Sequence, residues 1–283
     1  MRPAACSCRP ASRCPSNAVR GGVLLLASLA ATASPAAADP ALRKLCTDRP
    51  GLGTPACTLD AGHVQLEIGL ADWTLDRQAG TRNEEVDVGD TLVRIGIADH
   101  AELQFGWTAY GWTRERAGGA VSHDRGTGDL FIAFRRSLLR PDGAGTTVAI
   151  MPYATLPTGG QALGAGTWSA GIEVPFGFDL SDAVSLEFAP RVEAAADADR
   201  HGRHLAYGSV AGVAVDLSPV WNMTAELAAT RDDDPAGHST QELAGLSFGW
   251  TPGRNFQLDA GANVGLDRAA PDLELYAGIT RRF

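Results

Sequence analysis

Twelve charged or amide side chains recur on one parity of the chain: Glu67, Arg94, Glu102, Gln104, Glu173, Glu187, Arg191, Glu193, Glu226, Asp259, Glu274 and Arg282. Each sits between apolar neighbours, as in "QLEIGLAD" (Gln65–Asp72) and "SLEFAPRVE" (Ser185–Glu193). Carboxylates set at every second position form rings when strands lie side by side, and such rings lining a passage favour cations or neutral polar solutes. The competing reading pairs these acids with the arginines into a network that fills a narrow interior and only stabilises it. The two readings share a framework and differ in whether the interior is open.

Other chemistry is poorly represented. A nucleophilic site needs a serine or cysteine beside a base that a third group orients. The alternating segments carry few serines, the histidines fall in loops or turns, and only His63 opens such a segment, with no serine evident opposite. The chain is therefore not expected to be an enzyme, and no cofactor is expected. "DADRHGRH" (Asp197–His204) and "RDDDP" (Arg231–Pro235) hold metal-ligand residue types. Their spacing fits no zinc pattern and acid runs are usually hydrated, so both are read as solvated loops, with no metal expected. "GGQALGAG" (Gly159–Gly166) lacks the lysine and the strand-to-helix setting of a phosphate loop.

The framework is a two-residue rhythm. In "HVQLEIGLAD", Val64, Leu66, Ile68 and Leu70 oppose Gln65, Glu67 and Gly69; in the final "LELYAGITRRF", Leu273, Leu275, Ala277 and Ile279 oppose Glu274, Tyr276 and Thr280. Alternation of this kind marks half-buried strands, and about twelve segments of roughly ten residues carry it beyond Gly62. Connections alternate between tight turns, such as "DHA" at Asp99 and "SP" at Ser218, and longer polar stretches, such as "TRERAGGAVSHDRGTG" and "TGGQALGAG". Short turns on one rim and long loops on the other describe an up-and-down antiparallel transmembrane β-barrel. Phe178, Trp221, Trp250, Phe256 and Phe283 gather at the tight-turn rim, as an interfacial aromatic girdle would. Lipid cannot satisfy a bare sheet edge, so the rhythm should persist to Phe283 because the last strand must close on the first. Pro152, Pro175 and Pro190 fall inside expected strands, and Trp112 falls on the inward parity of its own.

The segment before the barrel divides in two. Residues 1–38 carry four arginines, no acid and the apolar run "GVLLLASLAATA", the pattern of an export signal peptide too short to span a bilayer. Without it, 20 Lys+Arg face 33 Asp+Glu, a balance near −13, which excludes nucleic acid as a partner. Residues 39–62 form a periplasmic segment in which Cys46 and Cys57 pair most simply as a disulfide, leaving residues 63–283 for the barrel.

Several stretches carry a family resemblance: "TDRPG" (Thr47–Gly51), "AGHVQLEIGLADW", "LVRIGIADHAELQFGW", "GTGDLFIAFRRSLL", "MPYATLPTG" and "GIEVPFGFDLSD". The chain resembles, from about Leu45 to Phe283, the outer-membrane transporter family named after the meta-pathway of phenol degradation. The resemblance implies residence in the outer membrane of a Gram-negative bacterium and passage of small, hydrophobic or aromatic solutes; it assigns no binding residue. Phe283 resembles the aromatic ending that such barrels offer to the barrel-assembly machinery, although Arg281 departs from the pattern by occupying an outward position. The expected partners are thus outer-membrane lipid, that machinery through the C-terminal strand, and small-molecule solutes. A non-conducting structural or surface-interaction barrel remains the alternative.

Overall fold

Fourteen stretches of extended chain follow one another: β1 (Val64–Gln78), β2 (Thr81–Ala98), β3 (Ala101–Ala117), β4 (Ala120–Gly126), β5 (Leu130–Leu139), β6 (Thr146–Leu156), β7 (Ser169–Glu173), β8 (Phe176–Asp179), β9 (Val184–Ala196), β10 (Arg203–Ser218), β11 (Trp221–Asp232), β12 (Ser239–Gly253), β13 (Phe256–Gly265) and β14 (Leu273–Arg282). The computed structural model describes residues 42–78, 80–160 and 162–283; the expected signal peptide, with Cys6, Cys8 and Cys14, lies outside them. All neighbouring strands pair antiparallel.

The fourteen elements make twelve barrel strands. β4 and β5 pair with β3 in one unbroken register, from Ala117↔Ala120 through Gly106↔Phe131 to Ala101↔Arg136. β7 and β8 likewise share one register with β6, Met151↔Glu173 continuing as Val148↔Phe176. The break between them is Pro175, which has no N–H to give the ladder; its carbonyl still accepts from Ala149 N at 3.0 Å. Pro152 and Pro190 stay in register opposite Ile172 and Ser209. β14 closes on β1 from Gln65↔Arg282 to Leu75↔Leu273, and Phe283 N donates to Val64 O at 2.7 Å. Pairing therefore reaches the last residue, and the expected closed barrel of about twelve strands is the one observed.

Large apolar side chains face outward. Trp107, Phe188, Val192, Leu227, Leu246 and Leu275 are all exposed, whereas Gln65, Arg94, Glu102, Arg135 and Thr280 are completely buried. A water-soluble fold would reverse this distribution; lipid around the wall accounts for it. At the short-turn rim Trp221 pairs across strands with Trp250, ring centroids 6.3 Å apart, and Phe178 and Phe283 are exposed beside them.

Two features depart from the expectations. The stretch "TRERAGGAVSHDRGTG" is not a loop: β3 runs on to Ala117, turns at Gly118 and Gly119 (φ 56° and 86°), and returns as β4. A hairpin standing in water needs no apolar stripe, and two residues with positive φ form its favoured turn. Trp112 also faces away from the lumen. The register of β1 slips between Gly69 and Ala71, and Gly89 beside it adopts φ 71°. Alternation inverts across this bulge, so Gly111 points inward against Asp87 while Trp112 points outward and stacks on His123 at 5.5 Å.

Candidate functional site

The lumen at the short-turn end is occupied by the chain's own residues 42–60. Within this stretch Cys46 and Cys57 are joined, Cα atoms 6.1 Å apart, so the intervening "TDRPGLGTPA" is a closed loop. It bonds to strands on opposite sides of the ring, β2 and β3 on one and β11 and β13 on the other, which places it inside.

Carboxylates grip its main chain. Glu67 on β1 accepts from the amides of Asp48 and Arg49 at 3.0 Å, and Glu102 on β3 from Leu59 N at 2.7 Å. Glu226 on β11 accepts from Leu52 N at 2.9 Å and Gly53 N at 2.7 Å. Gly51 just before them has φ 123°, and a Cβ there would lie only 2.6 Å from Glu226 Oε2. The positive φ favours glycine at that turn, and a Cβ would in addition push the Glu226 carboxylate off its amide donors. Gly53 also lies against Glu187, and Thr54 pairs with Glu173.

Arginines complete the hold. Arg94 donates through Nε and Nη2 to Glu102 at 2.9 and 3.0 Å, and through Nη1 to Glu67 at 3.1 Å and Cys46 O at 2.8 Å. Arg135 reaches Asp48 at 2.7 Å and Cys57 O at 3.3 Å. Arg282 donates to Arg43 O at 3.0 Å and, across the rim, to Arg254 O at 2.8 Å. From the segment itself, Arg49 reaches Asp259 Oδ1 at 3.1 Å and lies over the Tyr276 ring. Paired, hydrogen-bonded charges are the only kind a buried interior tolerates.

Nine of the twelve residues singled out from the sequence thus converge on the segment: Glu67, Arg94, Glu102, Gln104 (which donates to Asp48 at 3.3 Å), Glu173, Glu187, Glu226, Asp259 and Arg282. Glu193, Arg191 and Glu274 lie towards the long-loop end. There Tyr153 donates to Glu193 at 2.9 Å, Arg191 to Thr230 at 3.3 Å and Asn263 to Glu274 at 2.8 Å. Arg135 was missed although it falls on the inward parity of its strand; Asp48 and Arg49 carry no periodic signal at all.

The remaining lumen is uneven. Inward positions on β8 to β12 alternate between small residues, including Gly177, Gly212, Ala214, Gly245 and Ser247, and the longer Glu187, Arg191, Glu193 and Glu226. On that side, at the short-turn mouth, two cavities of about 570 and 680 Å³ lie beside the segment, and both are lined by Lys44 and Asp216. Higher up, Phe131 and Tyr153 face each other at 5.7 Å across the inner wall. The β6–β7 loop folds inward above them, pinned by Asp129, which accepts from Gly159 N at 2.7 Å and Ala165 N at 2.8 Å. Leu163 of that loop fills the space left by Gly111.

One solved structure supports this architecture, and a second matches it more weakly. An outer-membrane channel from Pseudomonas putida F1 superposes with a TM-score of 0.66 over 83% of this chain and 100% of its own, at 14% identity. The translocator domain of the autotransporter NalP from Neisseria meningitidis gives 0.47 over 78% of this chain and 88% of its own, also at 14% identity. No curated protein is significantly similar in sequence. The chain folds as a closed transmembrane-type β-barrel of twelve strands, and over residues 47–283 it belongs to the family described as "Putative MetA-pathway of phenol degradation".

Proposed function

We propose that the barrel is a passage for small solutes, aromatic ones among them, that runs beside the lodged segment. The observation that carries this reading is the pair of cavities, about 570 and 680 Å³, between residues 42–47 and the short turns that follow β5, β8, β10 and β12. The arginine pairs that hold the segment lie on β13, β14, β1, β2, β3 and β5, while Glu226, Glu187 and Glu173 meet only the tip of its loop, so the space left at the short-turn mouth is off-centre, beside Lys44. Acids line the opening, namely Asp142, Asp179, Asp182 and Asp216 against Lys44, and on this basis cations or neutral solutes are favoured. Phe131 and Tyr153 offer ring faces for an apolar solute, and the family's description, with its reference to phenol degradation, supports aromatic cargo.

The buried ion pairs around Arg94 favour a second reading, a barrel sealed by its own segment. Planar-bilayer recording of the purified protein separates the two. A passage gives discrete conductance steps, and Ala214→Trp, which fills the off-centre opening, lowers them by more than half. Silence at every ionic condition, from protein that shows the heat-modifiable mobility of a folded barrel, rejects the passage. Steps that Ala214→Trp leaves unchanged reject the route.

A further inference from the structure

At the long-loop end, the turn after β9 and the loop after β11 meet around one imidazole. His204 at the start of β10 has only 5% of its side chain exposed. Its Nδ1 lies 2.9 Å from Asp197 Oδ1 and 3.6 Å from Asp234 Oδ2, while Asp232 Oδ1 stands 2.8 Å from Nε2. That last contact is off the ring's N–H axis, so the buried Nε2 has no aligned hydrogen-bond partner. Three carboxylates thus surround a single buried ring.

The nearby cations are committed elsewhere. Arg231 and His238 face Asp233, and Arg203 lies over the Trp168 ring and donates to Thr167. Among the described residues, no lysine or arginine pairs with Asp197, Asp232 or Asp234. Even a protonated His204 leaves two negative charges uncompensated; a divalent cation in place of that proton, on the neutral ring, leaves one.

We propose that Asp197, His204 Nδ1 and Asp234 form a binding site for a first-row divalent cation such as Zn²⁺, clamping the two loops together at the outer mouth. The ligand atoms of these three residues lie within 4.8 Å of one another. Tetrahedral bonds of about 2.0–2.1 Å set neighbouring ligands about 3.3 Å apart, and the two distances from Nδ1 fall on either side of that. Asp232 stands 2.8 Å from the other ring nitrogen, and a slight tilt of the ring onto a bound ion would turn that contact into the hydrogen bond by which an outer carboxylate orients a metal-bound histidine. A nitrogen ligand among oxygens favours zinc, nickel, cobalt or copper over calcium or magnesium. The loops are already drawn together by Asp234, which accepts from Ala198 N at 2.7 Å and Ala236 N at 2.6 Å. Those amides hold its carboxyl below the usual carboxylate range.

The test is calorimetric titration of tag-free protein in detergent with Zn²⁺, alongside Co²⁺ titration followed by visible absorption. One equivalent should bind, and Co²⁺ should show the intense bands of a low-coordinate site. His204→Gln and Asp234→Asn should each abolish both signals while keeping heat-modifiable mobility. Asp232→Asn should weaken binding roughly 10–100-fold, and His201→Gln should leave it unchanged. Absence of saturable binding up to millimolar Zn²⁺ would show that a proton alone occupies the cluster and overturn the proposal. Affinity unaffected by His204→Gln, or a preference for Ca²⁺, would overturn it equally.

Discussion

Glu226→Ala is the sharpest perturbation of the lodged segment. Glu226 holds the tip of the closed loop through two main-chain donors, Leu52 N at 2.9 Å and Gly53 N at 2.7 Å. Among the described residues no arginine pairs with it, so removing it strands no opposite charge there. A hydrogen bond to a charged group contributes about 1.5–3 kcal/mol. Two such bonds, partly replaced by water once the side chain is gone, leave the tip looser by about 3 kcal/mol. At 1.4 kcal/mol per tenfold, displaced-tip states become roughly 100-fold more frequent. The base of the loop stays in place, because Glu67 still binds the amides of Asp48 and Arg49 and Arg94 still binds Cys46 O. Single-channel records should therefore show a new, larger conductance substate without full opening of the barrel. A conductance histogram identical to wild type, from protein with normal heat-modifiable mobility, would mean that the tip does not obstruct solute.

Three further perturbations follow from the same geometry. Arg94→Met leaves Glu67 and Glu102 buried without their main counter-charge, and the cost of breaking such a pair, about 3–5 kcal/mol, should appear as a lower midpoint in thermal unfolding followed by gel mobility; an unchanged midpoint refutes that role. Cys46→Ser with Cys57→Ser removes a cross-link spanning 11 positions, worth about 2–3 kcal/mol, and limited proteolysis should then cut within residues 42–60 while the barrel stays intact. Glu187→Gln with Glu193→Gln should reduce cation preference in reversal-potential measurements, and an unaltered reversal potential would remove both residues from the route.

The barrel was legible because lipid enforces a period of two wherever a strand crosses it, and that period survives without any alignment. It fails to inform in two physical situations. Where β3 and β4 rise into water, both faces are polar, so nothing distinguishes a hairpin from a loop until Gly118 and Gly119 are seen to make the turn. At the Gly69–Gly89 bulge the parity inverts, which put Trp112 on the wrong face. The His204 cluster was hidden for a different reason: Asp197 and Asp234 are brought together only by the pairing of β9, β10 and β11.

The sequence leaves open whether residues 39–62, read as a periplasmic segment, hang free or enter the lumen, and the reason is instructive. Counting charges finds an acid-biased lumen and infers an unfilled demand for cations. Much of that demand is met by groups that carry no formal charge, since Glu226, and in part Glu67 and Glu102, are satisfied by backbone amides of Leu52, Gly53, Asp48, Arg49 and Leu59. Amide donors are present at every residue except proline and leave no mark in composition. Recognition through the main chain depends on shape rather than on side-chain identity. The loop's own side chains should accordingly tolerate change at Leu52 far better than at Gly51, where the left-handed backbone disfavours a Cβ and a Cβ would displace the Glu226 carboxylate. An inward acid with no arginine within reach is thus as much a sign of a main-chain guest as of a passing cation.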